Sequence, residues 1–204
     1  MNHPNIFIVS LEASTDRCGF SCGRIDEEQE DGLRDFFQAY TDFLIDYIRR
    51  CKENFSIDCV LIHDDWGHQH SSFFSLDVAM DKLVPYYKQI VDVVHDLGMY
   101  FELHCCGKAQ ELVPAFIAVG VDLWCPQPMN DIMALAEKYK EAPITFGLQS
   151  CPVDPSLPEE ELRAAARAWF DKVKEYRIIN TSRVTPAAAL QEIYKASREY
   201  YLDK

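Results

Sequence analysis

Tyr100-Phe101-Glu102-Leu103-His104-Cys105 and Asp122-Leu123-Trp124-Cys125-Pro126 bracket a helix-like segment, 109–119, and this strand–helix–strand spacing sets the expectation for the whole chain. Outward from it, short β-branched and apolar runs alternate with longer segments of helical period, the pattern of repeated β-α units around a parallel sheet. Strands are expected at 6–11, 58–63, 100–105, 122–126, 144–149 and 177–181. Between and after them, helices are expected at 30–54, 75–97, 109–119, 129–139, 158–173 and 186–201. In 30–54 the residues Leu33, Phe36, Phe37, Tyr40, Phe43, Leu44, Tyr47 and Ile48 step by three and four, which reads as one buried face. Gly98 stands where a helix C-cap would place it.

No Gly-rich phosphate loop follows the first strand, so a barrel is preferred to a nucleotide-binding open sheet. The expected fold is therefore α/β of the (β/α)₈ TIM-barrel type. A full barrel takes about 250 residues and eight strands. With 204 residues and six expected strands, the chain reads as a single domain over 1–204, an incomplete barrel of about six β-α units. Open sheet edges invite pairing, so the sequence points to a fragment, a shortened relative, or a subunit completed by a second chain.

Composition excludes several classes. The formal charge of −13 and the scattered Lys and Arg argue against nucleic acid. No apolar run reaches the roughly 18 residues of a membrane span, and the apolar run 6–11 is too short for a signal-peptide core. A cytoplasmic location is expected, with the eight cysteines as reduced thiols. Cys18-x₃-Cys22 is a weak metal signal in a Gly-containing loop.

Chemistry in such barrels sits at the C-terminal strand ends. The second strand ends in His63-Asp64-Asp65-Trp66-Gly67-His68-Gln69-His70. Strand side chains alternate, so only one of Asp64 and Asp65 can face the barrel without a bend; either is a candidate for proton transfer or for holding a cation. Trp66 and Gln69 are candidates for substrate contact, and His68-x-His70 reads as an exposed loop pair. In the third strand Glu102, His104 and Cys106 share one face by period two, and zinc accepts all three donor types. Gln127 and Gln149, at the ends of the fourth and fifth strands, could hold amide or carboxylate groups of a ligand, and Cys151 lies just beyond the fifth.

Asp64-Asp65-Trp66-Gly67, Val84-Pro85-Tyr86-Tyr87-Lys88, His104-Cys105-Cys106-Gly107, Ala118-Val119-Gly120-Val121-Asp122 and Ile144-Thr145-Phe146-Gly147 follow one another in consistent order and spacing. Through them Val60 to Gln149 resembles the uroporphyrinogen decarboxylase superfamily, which includes cobalamin-dependent methyltransferases. It implies a zinc-thiolate methyltransferase moving a methyl group between a small substrate or thiol and a corrinoid on a partner protein, with zinc at His104 and Cys106. It also implies that the first two β-α units of the barrel are lacking. These relatives take a further cysteine from near the last strand, and 177–186 contains none; Cys151 and Glu102 are the nearest alternative ligands. Two other readings stand beside this one, a metal-free carbon–carbon lyase of porphyrin biosynthesis and a catalytically incomplete binding or structural subunit that joins an oligomer or a complementing chain.

Overall fold

The computed structural model describes residues 8–12, 27–180 and 185–202. Cys18 and Cys22 lie outside the described residues, as do the ends of the first and last expected strands.

Six strands form one sheet: β1 (Ile8–Glu12), β2 (Cys59–His63), β3 (Tyr100–Cys105), β4 (Leu123–Pro126), β5 (Thr145–Leu148) and β6 (Ile178–Asn180). Every pairing is parallel and the spatial order equals the chain order. A doubly wound sheet reverses direction at a switch point, and this one does not. Each connection steps to the next strand through a helix, which is how a barrel is wound.

The helices are α1 (Glu27–Asn54), α2 (Leu76–Lys82), α3 (Val84–Asp96), α4 (Val113–Val119), α5 (Ile132–Lys138), α6 (Glu159–Val173) and α7 (Ala187–Leu202). The single helix expected over 75–97 is two. Ser75 caps α2 through its hydroxyl, which accepts from the Val78 N–H, and Pro85 enters the first turn of α3, where its missing N–H costs nothing. Leu83 joins the two and lies at φ −115°. The segment 109–119 starts as a 3₁₀ turn, Gln110–Leu112, before α4. Helix α5 begins at Ile132 because Asp131 is its cap, accepting from the Ala134 N–H.

In α1 the apolar positions divide between two faces. Thr41, Leu44, Ile48 and Cys51 are buried, whereas Phe36, Tyr40, Phe43 and Tyr47 are exposed and stack in succession along the helix. Each exposed ring precedes a core-facing position by one residue, about 100° around the helix, so the expected single face was too broad.

The main core fills the space between sheet and helices. Val60, Ile62, Phe101, Leu103, Trp124 and Phe146 project from the strands onto Ile90, Val91, Val94 and Phe116; full burial of such a side chain is worth about 1.5–3 kcal/mol. A second cluster joins α6 and α7 through Leu162, Ala166, Phe170, Ala189, Ile193 and Ala196. Among the described residues no helix is long and apolar enough to cross a membrane.

Candidate functional site

Alternating burial in β2 and β3 separates two faces of the sheet. Phe101, Leu103 and Cys105 are buried against the helices, while Glu102 and His104 are half-buried on the opposite face. On β2, Ile62 and Asp64 share the buried parity, and Leu61, His63 and Asp65 share the half-buried one. Register sets His63 beside His104 and His104 beside Cys125. The rings of His63 and His104 lie 4.7 Å apart between centroids.

The alternation therefore assigns the two neighbouring aspartates to opposite sides. Asp64 is 3% exposed and its Oδ2 accepts from the Trp66 indole N–H at 2.8 Å and from the Tyr87 hydroxyl at 2.6 Å. It lies in the layer between sheet and α3, on the side of the sheet opposite His63 and His104. Trp66 lies on the same side: the indole is fully buried against Phe74, Tyr87 and Phe116, a core side chain with a polar handle. Burial, with the Asp64 carboxylate second, holds the Tyr87 hydroxyl well above its ordinary range and keeps it a donor. Asp65 is half-buried on the side of His63.

At the end of β3 the sequence-predicted residues do converge. Cys106 Sγ lies 3.7 Å from His104 Nε2 and accepts from the Gln127 amide at 3.4 Å. The Gln127 carbonyl accepts the Gly107 N–H at 2.8 Å, which turns the amide N–H toward the sulfur. Asn130, 4% exposed, ties the loops beneath this pair. Its Oδ1 accepts from Ala109 and Gln110, and its Nδ2 donates to the carbonyls of Gly107 and Gln127. The loop after β2 is bound in as well, since Lys108 N–H donates to the His68 carbonyl at 2.8 Å. Gly107, at φ +78°, passes so near the Gly67 backbone that a Cβ would overlap it.

Other expected site residues lie apart. Cys151 is 3% exposed within the α6–α7 cluster, away from His104 and Cys106, and its N–H donates to Thr185 Oγ1. Burial pushes its thiol up to about 11. Glu102 lies on the His104 face one pleat back from the strand end. Among the described residues no group of three His, Cys, Asp or Glu side chains could hold one metal ion, so the set Glu102, His104, Cys106 and Cys151 is not assembled. Gln69 is exposed in a turn closed by the Gly67–Ser72 bridge, where the His68 ring is engaged by Ser71 of the same loop. Gln149 is half-buried just after β5. Asn130 was not anticipated, and Tyr87 only as a member of the stretch 84–88. A tyrosine in the buried stripe Val84, Tyr87, Ile90, Val91, Val94 does signal a hydroxyl in need of a partner, whereas nothing local distinguishes Asn130 from a turn residue.

No protein-family model matches the sequence, and no curated protein matches it. Among solved structures, a methyltransferase from Methanosarcina mazei superposes with a TM-score of 0.52 at 17% identity, over 79% of this chain and 47% of that one. The fold is TIM-barrel-like. At that identity the likeness shows fold alone, and the chain spans about half the length of that methyltransferase. Dihydropteroate synthases from Xanthomonas albilineans (TM-score 0.43, 11% identity, 97% of this chain and 67% of that one) and Burkholderia cenocepacia (0.39, 14%, 86% and 57%) are more distant in shape. His104, Cys106 and Gln127 meet at the C-terminal ends of β3 and β4.

Proposed function

We propose that this chain forms part of a methyltransferase of the uroporphyrinogen decarboxylase-like type, cytoplasmic, in which a small methyl donor or thiol is handled at Cys106. In this reading His104 and Cys106 would hold zinc, a corrinoid on a partner protein would supply the methyl-carrying chemistry, and a second chain or oligomer would supply the remaining β-α units. The observation that carries it is the placement of imidazole and thiol at one strand end. Two donors on one tetrahedral zinc, at ordinary Zn–N and Zn–S lengths, stand roughly 3.6 Å apart, and His104 Nε2 and Cys106 Sγ are 3.7 Å apart. The pair fits one edge of such a site. A third protein ligand is not present among the described residues.

Zinc bound there would supply a Lewis acid that keeps a thiol ionised near neutral pH. The protein's own residues do the rest: Gln127 donates to the Cys106 sulfur, and Asp65 and Gln149 are polar groups at or near the same rim. The lyase reading is less well supported, because Asp64 is engaged by Trp66 and Tyr87 in the helical layer.

Elemental analysis of protein purified without added metal tests the proposal. About one zinc per chain, lost when His104→Ala and Cys106→Ser are combined, is the expected result for a single site. No zinc in either folded protein would remove the metal from the mechanism.

A further inference from the structure

We infer that Asn130 is the positioning residue of the Cys106 site, acting through Gln127. The Asn130 side chain has two acceptor lone pairs and two amide hydrogens, and all four are used on backbone: Ala109 and Gln110 N–H at 2.9 and 3.0 Å, and the Gly107 and Gln127 carbonyls both at 2.9 Å. That pattern fixes which end of the amide is oxygen. It also fastens the loop after β3 to the loop after β4 at the two residues that matter, since Gly107 orients the Gln127 amide and Gln127 contacts the sulfur. Asn130 is itself buried. Its influence on the sulfur runs through the Gln127 backbone and the Gly107 N–H.

The substitution that isolates this role is Asn130→Asp. An aspartate of the same shape keeps the acceptor for Ala109 and Gln110 but has no hydrogens for the two carbonyls, so it releases the β4 loop while leaving the 3₁₀ turn held. The readout is the alkylation rate of Cys106 by iodoacetamide, followed residue by residue by mass spectrometry at about pH 9.5, above the ordinary thiol range, so that rate reports access and hydrogen bonding more than ionisation. Asn130→Asp should raise that rate about tenfold as the Gln127 amide leaves the sulfur, and should change it less than about twofold in a Gln127→Ala background, because residues acting in series are not additive. An equal effect in both backgrounds would overturn the inference, as would an unchanged rate in a folded variant.

Should Asn130→Asp not fold, amide hydrogen exchange in Gln127→Ala decides. Protection at Ala109 and Gln110 should persist, because Asn130 holds them without Gln127; its loss would show that the two side chains are one packing unit without direction. Neither readout needs zinc or a methyl donor. The positional role can therefore fail while the methyl-transfer reading stands, and the reverse.

Discussion

Removing the Asp64 carboxylate would leave an indole N–H and a tyrosine hydroxyl facing apolar neighbours, because Trp66 and Tyr87 both donate to it inside the core. Each unsatisfied buried donor costs about 1–3 kcal/mol, so Asp64→Ala should destabilise by about 3 kcal/mol or more. Tyr87→Phe, which removes one donor and leaves the other bond, should cost about 1–2 kcal/mol. Urea unfolding measures both, and near-equal values would mean that the Trp66 bond carries nothing. Strand alternation alone required that only one of Asp64 and Asp65 face the rim, yet which one was not legible. That choice depends on Tyr87, 23 residues on, presenting its hydroxyl to Asp64. The same limit applies to Cys106. Period two placed it on the face of His104, but the Gln127 and Asn130 bonds that surround it are made across about twenty residues of chain and have no local signature.

The loops that bear the site cross at two glycines, and a pair of substitutions separates backbone conformation from crowding. Gly98 and Gly107 both have positive φ, +71° and +78°, but a Cβ at Gly98 meets nothing within 4 Å whereas one at Gly107 overlaps the Gly67 backbone. Gly98→Ala should therefore cost only the left-handed penalty, about 1–2 kcal/mol. Gly107→Ala should cost that and a further 1–3 kcal/mol for overpacking, seen as a lower urea midpoint; equal midpoints would mean the crossing can open freely. At this scale the sequence was most informative. Among the described residues the strand bounds agree with the expected ones to within about two residues, because a parallel strand covered by helices is apolar enough to read directly. The misreadings were local competitions: Pro85 divided one helix into α2 and α3, and capping by Asp131 delayed α5. The outer aromatic stripe of α1 is the exception, since helical period counts apolar residues without saying which of two neighbouring arcs meets the sheet.

Stability of the whole molecule should fall in alkali. Burial, with Glu102 second, pushes the Cys59 thiol up to about 12, and burial pushes Cys151 up to about 11. Cys105 is driven higher still by its own burial. In the unfolded chain these thiols ionise near pH 8.5, so above that the unfolded state holds fewer protons than the folded one and stability declines with pH. The contribution is whole below about pH 8.5 and is lost as pH climbs through the folded values. Unfolding midpoints measured from about pH 8 to pH 11 should drop, and Cys59→Ala should flatten the slope; an unchanged slope would place the alkaline loss elsewhere. The sheet itself has a consequence for how the molecule comes into being. Because each described strand after β1 pairs with the one made just before it, each later β-α unit leaving the ribosome meets a docking edge that has already been synthesised, and the chain can fold in the order of its synthesis.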